Sequence, residues 1–327
     1  MHEKPEASFI AAVEPLRGAL RVHCYRMLGS AHDGEDVVQE TMLRAWRSRD
    51  SLKDPGMLRS WLYRIATNAC LDELKRRPRR ALASDVYPPE ADPRGPVAPP
   101  IDEPVWLEPM PDTWLVSTEQ ADPAARYTLK ESVALAFVAA LQFLTPLQRA
   151  TLLLRDVVGL SAEETAEAVA VSISAANSAL FRAREAVEEK VGGRDPSTIA
   201  SSAAGSEELL ARYIRAFEAR DADGFLALVH EDVRTTMPPS PTWIEGRAAN
   251  VAFFRQMFAG QPGARRITRT AANGQPALAY YRSDGDGQPY LLRAIQVLAI
   301  RDGKVATIDH FTAKEVLAAF ELPAQIA

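Results

Sequence analysis

Apolar residues recur at helical spacing through the first part of the chain. Ala7 to Met27 is helical in pattern and closes at Gly29-Ser30, after which His32-Asp33-Gly34-Glu35-Asp36 sets acids where a helix N-terminus favours them. The helix from Asp36 to about Arg47 gathers Val38, Met42 and Ala45 on one face, with Trp46 beside them. The next, Leu58 to Arg76, places Leu58, Leu62, Ile65 and Ala69 on one side and Arg64, Asn68, Asp72 and Lys75 on another. One side of that helix packs; the other offers charged and hydrogen-bonding groups.

A second helical stretch lies within residues 123–190. Thr145-Pro146-Leu147-Gln148 and Ser161-Ala162-Glu163-Glu164 each have the form of a capping box, in which two side chains three residues apart satisfy amides that the first helical turn leaves free. The second box opens a short helix through Ala170. After the turn Val171-Ser172, a third helix runs from about Ile173 through Arg184, with Ile173, Ala176, Leu180 and Ala183 inward. This is helix-turn-helix spacing, which also occurs in proteins that never meet DNA. From 206 onward the pattern changes: helical EELLARYIRAFEARDADGFLALVHEDV precedes RRITRTAANG, QPALAYYRS, PYLLRAIQVLAIRDG and KVATIDHFT. These are runs of strand-forming residues divided by Asp284-Gly285-Asp286-Gly287 and Asp302-Gly303. Helices followed by a curved antiparallel sheet can enclose a cone-shaped cavity.

The net charge of −5 argues against a nucleic-acid partner until it is divided along the chain. Residues 1–82 hold fifteen Lys/Arg against eleven Asp/Glu, with five of the bases in the run Lys75-Arg76-Arg77-Pro78-Arg79-Arg80. Residues 83–122 hold one Arg against nine acids, together with 9 of the 23 prolines, and read as an extended acidic linker. Gly, Pro and Ser cluster again over 191–205. The expected domains are therefore 1–82, 123–190 and 206–327, joined by linkers at 83–122 and 191–205. Cys24 and Cys70 are too few for a disulfide framework, and no metal-ligand or phosphate-loop spacing stands out, so no cofactor and no metal are expected. Without an apolar leader, and with Val133 to Leu144 too short to span a bilayer, the expectation is a cytoplasmic protein with no membrane segment.

DGEDVVQETMLRAW at 33–46 and LRSWLYRIATNACLDELKRR at 58–77 resemble region 2 of bacterial extracytoplasmic-function (ECF) sigma factors of the sigma-70 family. The resemblance implies that the first stretch meets core RNA polymerase at the clamp helices of its beta-prime subunit. Asp33, Asp36, Gln39, Glu40 and Arg44 would make that contact, while Val38, Met42 and Trp46 pack. It implies that the second stretch melts the promoter −10 element. The loop Arg49 to Met57 would wall a pocket for an extruded base, and Arg59, Tyr63, Arg64, Asn68, Lys75 and Arg76 would face DNA. Melting needs no catalytic group, because capture of the unpaired strand by cationic and stacking side chains offsets the cost of unpairing. A basic helix end also complements the helix dipole, so these features alone leave a purely structural reading open.

LTPLQRATLLLRDVVGLSAEETAEAVAVSISAANSALFRARE at 144–185 is similar to sigma region 4, which reads the −35 element in the major groove. Its exposed face is expected to be Ser174, Ala175, Asn177, Ser178, Phe181, Arg182 and Arg184. Asn177 can bond an adenine edge at two points, while Arg182 and Arg184 hold phosphate. Asn177 and Ala179 stand where many relatives carry basic residues, which lowers the expected −35 affinity. The implied partners are core RNA polymerase, through its beta-prime and beta subunits, and promoter DNA. The acidic linker is expected to follow the polymerase's basic RNA channel in the complex and to screen the basic face in the free chain.

MPPSPTWIEGR at 237–247 and RDGKVATIDHF at 301–311 resemble the SnoaL-like domains of the NTF2-like superfamily, and that domain behind an ECF sigma factor points to the SigG-like group. The fold class implied is two all-α sigma domains, a region 2 helical bundle and a region 4 helix-turn-helix, followed by a C-terminal α+β NTF2-like cone. Three uses of the cone stay open. One is regulatory packing; a second is small-ligand sensing in a pocket of Met237, Trp243, Phe254 and Tyr280. The third is acid–base chemistry by His230, Asp232, Tyr280, Asp309 or His310, although no enzyme is expected. Two alternatives compete with the sigma-factor reading. An isomerase or cyclase with a helical DNA tether is one; a helix-turn-helix repressor, which leaves 33–77 unexplained, is the other.

Overall fold

The computed structural model describes residues 5–77, 79–102, 105–116, 133–191, 203–260, 263–285 and 287–327. The linker parts 117–122 and 192–202 thus lie outside the described residues. The chain divides into two compact units, one of residues 1–80 with 110–194, the other of 81–109 with 195–327.

In the first unit, α1 (Pro5–Val13) and α2 (Arg17–Leu28) are separate helices, because Pro15 withdraws an amide within the tighter turn Glu14–Leu16. The hydrophobic pattern had run them together. Gly29 ends α2 at a left-handed φ of 70°, and Ser30 starts α3 (Ala31–Arg47) by accepting a hydrogen bond from the Asp33 amide at 3.1 Å. α4 (Leu58–Leu74) crosses both, burying Leu62, Ala66 and Cys70 against Leu20, Cys24, Met27 and Val38. The rest of the unit is α5 (Thr113–Val116), α6 (Leu135–Leu141), α7 (Pro146–Leu152), which widens into a π turn through Val157, α8 (Ala162–Ala168) and α9 (Ile173–Val191). Both anticipated capping boxes form, at Thr145–Gln148 and Ser161–Glu164.

Leu141, Leu153, Leu154 and Leu180 join the core of α2–α4, so the two helical regions share one interior. A buried arginine ties them. Arg149 donates to the Met27 carbonyl and, at 2.8 Å, to Gln142 Oε1; desolvation lowers its pKa to about 10. Among the described residues no helix is long and apolar enough to cross a membrane.

In the second unit, α10 (Ala203–Glu218) and α11 (Ala222–Leu226) lead into a twisted sheet ordered β2-β1-β6-β5-β4-β3. Its strands are β1 (Val229–Thr236), β2 (Trp243–Glu245), β3 (Arg265–Ala272), β4 (Gln275–Arg282), β5 (Tyr290–Arg301) and β6 (Lys304–Phe311). β1 runs parallel to β6 and the other pairings are antiparallel; β7 (Gln325–Ile326) adds to β5. Asp302 and Gly303 turn β5 into β6 with φ of 51° and 69°, the handedness that a tight hairpin needs. α12 (Arg247–Gly260) and α13 (Lys314–Ala319) complete the unit. Phe217, Phe225, Phe254, Leu298 and Ile308 form its core. Val229–Thr236 is a strand where the pattern extended a helix through Val233, and the sequence reading did not mark α12.

Residues 81–109 form no solvated tether. The Ala81 amide donates to Val105 and the Leu107 amide to Ala81, both at 3.0 Å, so the segment closes on itself. It is then laid on the cone. Trp243 Nε1 donates to the Tyr87 carbonyl at 2.8 Å, while the amides of Glu90, Ala98 and Ile101 donate to Trp243 O, Thr242 Oγ1 and Pro239 O at 2.9–3.0 Å. Trp106 packs with Ala83 and Trp243.

Candidate nucleic-acid interface

The polar side of α4 is engaged within its own unit. Arg59 Nη2 donates to the Val158 carbonyl at 2.6 Å, Arg64 pairs with Glu167, and Asn68 Nδ2 donates to the Ala168 carbonyl at 3.0 Å. Residues of the 51–57 loop and the start of α4 wall a cavity of about 240 Å³, including Leu52, Met57, Trp61 and Arg64; Glu164 and Glu167 close it from α8. The Glu164 carboxyl is held below the usual range, first by the Ser161 amide and further by the hydroxyls of Ser161 and Ser60. Lys75 and Arg76 are exposed beside Asp72 and Glu73, at 3.0 and 3.8 Å. Tyr63 does not face outward: it is buried edge-on to His23, with centroids 5.2 Å apart, and desolvation raises its pKa.

On α3 the five expected polymerase contacts separate. Asp36 and Gln39 are exposed, and Glu40 pairs with Arg44 at 2.7 Å on the half-buried flank. Asp33 is buried, its two oxygens accepting from Arg77 at 2.7 Å and Arg80 at 2.6 Å, so it anchors the basic run and is removed from any docking surface. Leu43, not singled out by the sequence reading, is 51% exposed on the side of Asp36 and Gln39. The available signal was one leucine at a polar-stripe position.

The outer face of α9, the helix expected to read DNA, is open. Ser174, Ala175, Asn177, Ser178, Phe181, Arg182 and Arg184 are all exposed, Phe181 by 64%, while Ala176, Ala179, Leu180 and Ala183 are buried. Ile173, expected inward, is exposed at the start of the same face. Arg184 is held in a two-point pair with Asp156, at 2.9 and 2.6 Å, which raises its pKa and sets it apart from the phosphate-holding role expected of it. Arg182 has no ion-pair partner among the described residues.

The cone holds a second cavity of about 240 Å³. Phe217, Met237, Phe254 and Ile308 supply apolar wall, and Gln296 and His310 supply polar groups. Of the four residues expected to line it, Met237 and Phe254 do; Trp243 packs instead on the 81–109 segment, and the Tyr280 hydroxyl accepts from Arg265 Nε at 3.0 Å. The expected acid–base candidates fall into separate groups: Tyr280 and His310 meet edge-on, with ring centroids 6.0 Å apart. His230 and Asp232 join Arg301 in a surface ion cluster, buried Asp309 accepts from Thr236 Oγ1 at 2.7 Å, and His310 lines the cavity.

Residues 12–80 match the Sigma-70 region 2 family, 134–187 the Sigma-70 region 4 family and 210–308 the SnoaL-like domain. Over 301 residues the chain is 43% identical to the ECF RNA polymerase sigma factor SigG of Mycobacterium tuberculosis, covering 91% of this chain and 80% of that protein. It is 27% identical over 315 residues to SigJ of the same species, covering 91% and 90%. The crystal structure of Mycobacterium tuberculosis SigJ superposes with a TM-score of 0.60 at 25% identity, covering 96% of this chain and 99% of that one.

Proposed function

The chain belongs to the ECF RNA polymerase sigma factors of the sigma-70 family, and from that premise we propose that it docks on core RNA polymerase through α3, opens the −10 element with α4 and reads the −35 element with α9. The observation that carries the reading is the α9 stripe: one face buried in its own unit, the other a continuous run of Ser174, Asn177, Ser178, Phe181 and Arg182. A helix so divided fits a major groove. Asn177 bonds a base edge, Phe181 lies against a thymine methyl and Arg182 holds phosphate. On α3 the docking face is Asp36, Gln39 and Leu43, with Glu40 and Arg44 at its flank.

The cavity at the 51–57 loop is the receptacle for an extruded base, which offsets the cost of unpairing. Glu164 and Glu167 stand in its wall, and Glu167 already holds Arg64. A polyanionic strand and α8 compete for α4, so the free chain is closed to the −10 element and core polymerase must draw the helical regions apart. The covering acids belong to α8; of the acidic linker, expected to screen this face, residues 83–109 meet the cone, while Trp114 stacks on Arg21 of α2. As in the rest of its family, the chain acts without catalysis, and the SnoaL-like domain acts as regulator, through its hold on the 81–109 segment.

Transcription reconstituted with core polymerase on a promoter library, comparing the full chain with residues 1–205, tests the reading. Both should bind core, and promoter choice or yield should differ between them. A full chain that does not bind core polymerase overturns the proposal.

A further inference from the structure

We propose that the cavity in the cone binds a compact, uncharged, mostly apolar molecule bearing one hydrogen-bond acceptor, such as an aromatic ketone, and that the occupant pins the 81–109 segment to the rim. This rests on the regulatory reading of the SnoaL-like domain and specifies what that domain responds to.

The cavity's polar end has a fixed sense. The Tyr213 hydroxyl donates to Gln296 Oε1 at 3.3 Å, which turns the Gln296 amide nitrogen toward His310 Nδ1, 3.1 Å away. The amide donates and Nδ1 accepts, so the imidazole proton sits on Nε2. Desolvation lowers the His310 pKa to about 4, leaving the ring neutral near pH 7. Nε2 makes no hydrogen bond among the described residues, and His310 lines the cavity: it offers one N–H to an acceptor. The remaining surroundings choose against charge. No Lys, Arg, Asp or Glu lines the cavity, so an ionised ligand loses hydration with no counter-charge. A volume of about 240 Å³ suits a molecule of two fused rings with a short substituent.

The wall is completed from the linker. Val97, Ala98 and Pro100 line the cavity beside Pro239 and Ser240 of the cone. Across the same seam Ala98 donates to Thr242 Oγ1 and Ile101 to Pro239 O. An occupant therefore touches both sides of the seam that these two hydrogen bonds close. The segment continues into Arg80 at one end and Met110 at the other, both in the helical unit, so what holds the segment acts on the chain joining the promoter-reading regions.

The test uses the full chain and three probes: 2-acetonaphthalene, 2-isopropylnaphthalene of similar shape without the carbonyl, and the anion 2-naphthoate. The ketone should bind saturably at one site, about tenfold tighter than either analogue. His310→Phe should erase its advantage over the isopropyl compound. At saturation, amide exchange at Ala98 and Ile101 should slow about tenfold. Absence of saturable binding, equal affinity for all three probes, or binding without slowed exchange overturns the proposal. If His310→Phe does not fold, Met257→Trp fills the cavity from α12 and should abolish binding of every probe; undiminished binding is equally fatal. Comparison of the full chain with residues 1–205 in transcription separates the two ideas. A difference there without probe binding leaves regulation standing and removes the ligand; binding with no difference does the reverse.

Discussion

The helices α4 and α9 carry the same kinds of side chain for the same kind of partner, yet one is covered and the other bare. Arg59, Arg64 and Asn68 are satisfied by carbonyls and a carboxylate on and beside α8, whereas Ser174, Asn177, Ser178 and Arg182 stand on an open helix face. The difference lies in what the fold brings opposite each. α8 is capped by Ser161 and Glu164 and presents acids on the side turned to α4, while nothing among the described residues lies over the outer face of α9. A run of cations therefore reports affinity for anions, and the nearest anions can be the protein's own.

The largest effect is expected at Asp33→Ala, which takes the buried carboxylate from Arg77 and Arg80 and should cost about 3–5 kcal/mol in denaturant unfolding. Unchanged stability with lost polymerase binding would return Asp33 to the docking face. Beneath the covered helix, His23 bonds Thr67 at 2.9 Å, and desolvation, helped by Arg26, lowers its pKa to about 3. The folded site refuses a proton that the unfolded chain accepts, so stability should fall as pH drops from about 6.5 toward 3, by up to about 1.4 kcal/mol per pH unit. His23→Gln should flatten that slope in thermal melts across the same window.

On the bare helix, Asn177→Ala should lose about 1–3 kcal/mol of discrimination at one base pair of the −35 element, read from a promoter panel. Arg182→Ala should weaken all sequences alike and reduce the salt dependence of binding by about one phosphate contact. Equal losses from both on every sequence would dissolve the division between reading and holding. The smallest change belongs to the cover: Glu167→Ala should raise the free chain's affinity for −10 single strand by about 0.2–1 kcal/mol, the range of a solvent-exposed pair. An unaltered affinity in a fluorescence titration would mean that α8 is no competitor.

What could be read from the sequence was local. The two capping boxes, the turn before Ile173 and the strand runs of β3 to β6 all rest on neighbours within a few residues, and they located the recognition helix and most of the sheet. β1 escaped because polar His230-Glu231-Asp232 follow its first residue and its partner β6 lies more than seventy residues further along the chain. Asp33 and Tyr63 were placed on contact faces by resemblance, and the structure buries both, because in a cluster of helices a second neighbour covers part of each helix. Within the pocket proposal, Met237 and Phe254 were placed by resemblance. The loss of Trp243 to the linker required knowing where a proline-rich segment without periodicity would land.

The closure of residues 81–107 sets the length of a tether. The hydrogen bond between Leu107 and Ala81 takes every residue between them out of the chain's reach. The local concentration of one tethered module around another falls roughly as the −3/2 power of tether length once the span is covered. Undoing the closure, together with the hydrogen bonds that hold the segment to the cone, would release the whole loop. The change would alter how often the −35 reader meets its element after the −10 reader has engaged, and so shift the promoter spacing the molecule tolerates with no change in any base contact.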